Sequence, residues 1–134
     1  MAKVTMPSNY GIRDGSTYVW ETTLIASAGG TASATSDNAF NGEVVRVDLI
    51  TGTLNSGADL TAKDTNQDTA TTAYFINATN IAADATYYPS VDLTSNTGAA
   101  RSSYVPFPIA GKIELALSGA DEADDLTVRV YVRA

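Results

Sequence analysis

Hydrophobic and polar residues alternate with a period of two in several stretches of this chain, most clearly at its end. In residues 111–118, Ile113, Leu115 and Leu117 alternate with Lys112, Glu114, Ala116 and Ser118. In residues 126–133, Leu126, Val128, Val130 and Val132 alternate with Thr127, Arg129, Tyr131 and Arg133. Such alternation marks strands with one buried and one solvated face. The short polar link between the two segments predicts an antiparallel hairpin. Asp121, Glu122, Asp124 and Asp125 would then sit at its water-exposed tip.

The same reading extends upstream. Residues 18–27 form a strand in which Trp20, the only tryptophan, anchors the core or an interface. Residues 29–37 read as a loop or an irregular edge strand. Asn41-Gly42 is a turn signal that launches a Val-rich strand over 43–51. Asn55-Ser56-Gly57 is a second turn, followed by a strand over 58–63 and a polar loop over 64–71. Residues 72–77 suit a strand or a short helix, and 80–86 a single helical turn. Residues 87–93 read as an edge strand, because Pro89 cannot donate to a central ladder. A Gly/Ala/Ser loop over 95–103 leads into an extended, proline-punctuated segment over 104–109. Frequent turns and little helix predict an all-β fold, an antiparallel two-sheet β-sandwich of jelly-roll-like type. Residues 1–16, broken by Pro7, Gly11 and Gly15, form an extended N-terminal arm, and residues 17–134 a single β-sandwich domain.

Composition narrows the chemistry. A chain of 134 residues with 44% hydrophobic content supports one core. The net charge is −7, and the basic residues are scattered from Lys3 to Arg133, so no patch suits a phosphate backbone and nucleic acid is not an expected partner. No run of about eighteen apolar residues exists to cross a membrane, and the N-terminus lacks a signal-peptide core. Synthesis in the cytoplasm is expected. The chain has no histidine and no cysteine. Disulfides, thiolate catalysis, histidine-based triads and His/Cys metal sites are therefore excluded, and no catalytic residue or cofactor is expected.

Two features retain possible binding chemistry. Asp64, Asn66 and Asp68 alternate like the opening of a calcium loop, but Thr69 and Phe75 replace the glycine and glutamate that such a loop needs. They stand as calcium candidates against the simpler reading of a solvated loop. Tyr74, Phe75, Tyr87, Tyr88, Tyr104 and Phe107 gather ahead of the terminal strands. Aromatics at edges and loops pack a core, bury at a protein contact or line a sugar groove.

The layout resembles the small head decoration (cement) proteins of tailed bacteriophages. The resemblance lies in an early strand ending Ile-Ala-Ser-Ala-Gly-Gly, an Asn-Gly-Glu turn opening a Val-rich strand, a Tyr-Tyr-Pro stretch, and the terminal strand pair. It spans most of residues 18–134. It implies a non-enzymatic virion structural protein that binds the outer surface of the capsid and stabilises it. Its partners would be the major capsid protein and copies of itself, as a homodimer or homotrimer. Expected contact residues are Met6, Tyr10 and Ile12 on the arm, with Tyr87, Tyr88, Tyr104 and Phe107. The alternative is a carbohydrate- or receptor-binding β-sandwich of a phage tail or cell surface, with or without a dependence on calcium. A head-tail connector or tail-tube component is a third class.

Overall fold

The computed structural model describes residues 3–4, 17–55, 57–66, 74–94, 97–98 and 100–134. They form eleven strands: β1 (Lys3–Val4), β2 (Thr17–Ile25), β3 (Ala32–Thr35), β4 (Gly42–Thr51), β5 (Ala58–Asp64), β6 (Tyr74–Ile81), β7 (Ala85–Tyr87), β8 (Ser90–Thr94), β9 (Ala100–Ile109), β10 (Ile113–Ser118) and β11 (Asp125–Arg133). All pairings are antiparallel. The large sheet runs β1-β2-β11-β4-β9-β8, with β7 also paired to β4, and the small sheet runs β3-β10-β5-β6. The protein is an all-β, two-sheet antiparallel sandwich. No helix occurs among the described residues.

The alternating residues build the core as the pattern predicts. Trp20, Leu24, Val47, Leu49, Val128, Val130 and Val132 point inward from the large sheet, and Leu60, Ala62, Ile113, Leu115 and Leu117 from the small one. Trp20 is 1% exposed, which places it in the core. Burying a side chain of that size contributes several kcal/mol, about 3–5 by the usual cost of truncating it to alanine.

The expected terminal hairpin does not form. Strand β10 pairs with β3 and β5 in one sheet, while β11 pairs with β2 and β4 in the other. Alternation specifies which face of a strand is buried but not which strand lies beside it. Here the two apolar faces oppose one another across the sandwich, and the intervening residues carry the chain between sheets about 10 Å apart. The acidic segment is accordingly a built corner. Asp124 is only 4% exposed, and its Oδ2 accepts hydrogen bonds from the backbone N–H of Asn55 (3.0 Å) and Asp121 (3.0 Å). Asp125 Oδ1 accepts from Thr53 N–H at 2.8 Å, and Asn55 Nδ2 donates to Asp121. Glu122 and Asp121 remain exposed, as expected.

Two local expectations also change. The helical turn over 80–86 is replaced by the end of β6 and by β7, because Ile81 pairs with Ala58 and is buried. Tertiary burial overrides local propensity there. The chain enters β9 at Ala100, within the stretch expected to be a loop. Of the arm, Lys3 and Val4 pair with Glu21 and Trp20 on β2, and the rest lies outside the described residues.

Candidate functional surface

Among the described residues, the outer face of the large sheet carries the most organised polar chemistry. Strand register sets it out in rows. Glu21, Arg129, Asp48 and Thr86 lie across β2, β11, β4 and β7. Val19, Tyr131 and Arg46 form the next row, and Thr17, Arg133, Glu43 and Pro108 the one beyond. A residue at i and another at i+2 on one strand share a face, so charges two apart in sequence become neighbours in space.

Among the described residues of this face, Arg46, Arg129 and Arg133 each meet a carboxylate. Arg129 Nε donates to Glu21 at 2.5 Å, and Arg133 Nη2 to Glu43 at 3.2 Å. Arg46 grips Asp48 with two parallel bonds, Nε to Oδ1 at 2.8 Å and Nη2 to Oδ2 at 2.9 Å. This forked geometry is the strong form of the pair. The guanidinium also lies over the Tyr131 ring, 5.0 Å from its centroid. Thr86 Oγ1 donates to Asp48 Oδ1 at 2.9 Å. Burial pulls the Asp48 carboxyl upward, but hydrogen bonds from Arg46, Thr86 and Tyr131 outweigh it and leave the group below its ordinary value. The bond to Asp48 in turn raises Arg46, and the bond to Glu21 raises Arg129. Asp48 is thus an ionised, fully occupied acceptor, which suits a fixed scaffold and not a proton shuttle.

An open cleft of about 350 Å³ lies over the paired strands β4 and β7, lined by Arg46, Asp48, Leu49, Ile50, Asp84, Ala85 and Thr86. Asp84 sits at one end, where its Oδ1 accepts from Thr51 N–H and Thr51 Oγ1, both at 2.8 Å. The backbone bond first, and the hydroxyl second, hold its carboxyl below the usual range. The cleft was not legible from the sequence. The only signal was Arg46 and Asp48 two apart on a polar strand face, and its second wall comes from residues some forty positions later.

Of the predicted contact residues, Tyr88 and Tyr104 are 70% and 68% exposed, and Tyr87 is 36% exposed. Tyr104 pairs with Asp92 and Pro106 with Ser90. Alternation along β9 puts Tyr104, Pro106 and Pro108 on the face shared with Glu43. Tyr88 lies near enough to Arg46 to add to its charge stabilisation. Phe107 is different. It is 7% exposed and packs against Phe75 with ring centroids 5.6 Å apart, so it belongs to the core. Its neighbours on β9 point outward, and this alternation is the reason. Met6, Tyr10 and Ile12 lie outside the described residues.

The calcium candidates are dispersed in role. Asp64 is fully buried at the end of β5 instead of opening a solvated loop. Its Oδ1 accepts from Asn66 N–H at 2.9 Å and its Oδ2 from Ala110 N–H at 2.8 Å. Asn66 is exposed and donates from Nδ2 to the Ala110 carbonyl at 2.6 Å. Asp68 lies outside the described residues. Among the described residues, no group of three or more aspartates or glutamates is arranged to hold a metal ion.

No protein-family model matches the chain, and no curated protein matches its sequence.

Proposed function

We propose that this protein is a non-enzymatic structural component of a tailed-phage virion, binding the outer surface of the capsid as a decoration protein and stabilising it. The observation that carries the reading is the pair of exposed tyrosines, Tyr88 and Tyr104, bordering a sheet face on which Arg46, Arg129 and Arg133 are each matched by a carboxylate. Tyrosine and arginine are the residues that protein contacts enrich. Arginines already paired with carboxylates approach another protein at a lower desolvation cost than lone charges do.

The strand order supports the jelly-roll form of the sandwich. With the extra edge strands set aside, β2-β11-β4-β9 faces β3-β10-β5-β6, as expected of eight strands wound as two Greek keys, an architecture used by viral capsid domains. The carboxylates also favour a structural role. Asp48, Asp64 and Asp124 are buried and spend their oxygens on internal hydrogen bonds. The contacts would be spread over the joints between capsid subunits, with the major capsid protein as partner and a homodimer or homotrimer as the bound form.

The test is co-sedimentation with heads of the phage that carries the gene, assembled without this protein. Saturable binding at a fixed ratio is expected, and the double variant Tyr88→Ser/Tyr104→Ser weakens it at least tenfold, as loss of two contact aromatics at about 1–2 kcal/mol each implies. Wild-type protein that stays in the supernatant, or a double variant that binds equally well, refutes the proposal.

A further inference from the structure

We propose that the cleft over β4 and β7 is the anchor point of the partner contact, and that it takes one basic side chain, arginine by preference, from the protein that docks on this face. The inference rests on the reading of the protein as a partner-binding virion component and specifies what that partner presents.

The charge inventory of the cleft decides its ligand class. Its walls hold Arg46 against Asp48 and Asp84, one more negative charge than positive. Arg46 is not available to bind an anion. Its Nε and Nη2 are committed to Asp48, and its flat face lies over Tyr131. Asp48 is spent likewise, receiving Arg46 and Thr86. Asp84 is the surplus charge. Both of its hydrogen bonds from Thr51 fall on Oδ1, and the residue is exposed at the mouth of the cleft. An ionised carboxylate beside a neutralised pair attracts a cation.

Two further features select a guanidinium over an ammonium. The lining includes Ile50, on the same face of β4 as Arg46 and Asp48, apolar surface for the methylene stem of a long basic side chain. Tyr88, 70% exposed, follows β7 two residues beyond Thr86 and so stands on the cleft's side of the sheet, a ring on which a planar cation can stack. The motif would repeat what the protein already does to its own Arg46, which is held by a carboxylate and covered by a tyrosine. The overall charge of −7 suits a basic partner surface in the same way.

The test is a titration of the ¹⁵N-labelled full chain with N-acetyl-arginine methylamide, followed by amide shifts. The citrulline analogue serves as the uncharged control, and particle binding of the same variants is measured in parallel. Arginine is expected to move the amides of Ile50, Thr51 and residues 84–88, and citrulline to leave them in place. Both Asp84→Asn and Tyr88→Leu should reduce the arginine shifts several-fold, the first abolishing their salt dependence. The second leaves the Thr51 contacts intact, so it stands even where the first perturbs the loop. Asp84→Asn should weaken particle binding about tenfold, while Lys63→Ala on the opposite sheet leaves it unchanged. Equal shifts with arginine and citrulline overturn the inference, because the cleft then takes a neutral ligand such as a sugar. Unaltered particle binding by Asp84→Asn, with the tyrosine variant impaired, also overturns it while leaving the capsid reading intact. Wild-type protein that shifts with arginine but ignores the particles refutes the capsid reading instead, and leaves the cleft as a guanidinium site.

Discussion

Replacing Gly30 with alanine is expected to lower stability by about 3 kcal/mol, whereas the same change at the adjacent Gly29 stays within about 0.5 kcal/mol. Gly30 has φ +77°, and an added Cβ would lie 2.1 Å from the backbone oxygen of Ala120. Left-handed strain costs about 1–2 kcal/mol, and forcing an atom into a packed contact adds about 1–3 kcal/mol. The obstacle is backbone, so no side chain can swing aside. Ala120 N–H also donates to Gly30 O at 3.1 Å, tying the β2–β3 loop to the segment that crosses from β10 to β11. At Gly29 the nearest atom to a new Cβ is Ser27 Oγ at 3.9 Å, ordinary contact distance. Thermal unfolding of the two variants measures the difference, expected to be roughly 10 °C in midpoint for a domain of this size. Equal midpoints would show that the crossover is not packed on Gly30.

The second large effect is expected at Asp64. Its carboxylate is a staple between strand ends, binding Asn66 N–H and Ala110 N–H from segments far apart in sequence. Gly111 fits against it so closely that a Cβ there would meet Asp64 Oδ1 at 2.2 Å. Asp64→Ala leaves two backbone donors without their acceptor, at about 1–3 kcal/mol each when water cannot replace it. A loss of about 2–4 kcal/mol is expected from urea unfolding, with Asp64→Asn intermediate because one acceptor survives. A loss below about 0.5 kcal/mol would mean that solvent reaches both amides in the variant. The outcome bears on the calcium reading too, since a carboxylate used in this way is committed to the backbone.

These residues show where sequence reading succeeds and where it stops. The period-two runs identified the strands β2, β4, β5, β10 and β11 and the buried faces of β10 and β11, because alternation is a local property written into each segment; in β4 a register shift opposite Tyr131 and Val132 buries Val44 where unbroken alternation would bury Val45. The sandwich followed from their number and spacing. Neighbour relations did not follow. Leu117 and Leu126 are close in sequence and belong to opposite sheets, and a short polar link serves a hairpin and a crossover equally well. Asp64 and Asp124 looked solvated because they stand in polar runs, yet both are buried by backbone donors that arrive from distant loops. The candidate surface was half legible. Tyr88 and Tyr104 were found through the prolines that mark an exposed edge, while Phe107 was misplaced although its alternation with Pro106 and Pro108 already pointed it inward. The cleft required the pairing of Asp48 with Thr86 across β4 and β7, a register that no local pattern encodes.

The proposed role turns on which face of the sandwich meets the capsid. Hydrogen exchange of the protein, free and bound to heads lacking it, measured at equal protein concentration, reports this directly. Binding is expected to slow exchange in β7, β8 and β9 and in the turn holding Tyr88, while the backbone of β3 and of the β6 edge exchanges as in the free protein. Protection confined to β3, β5 and β6, or no protection at all in the presence of heads, would contradict a contact through the tyrosine-bordered sheet.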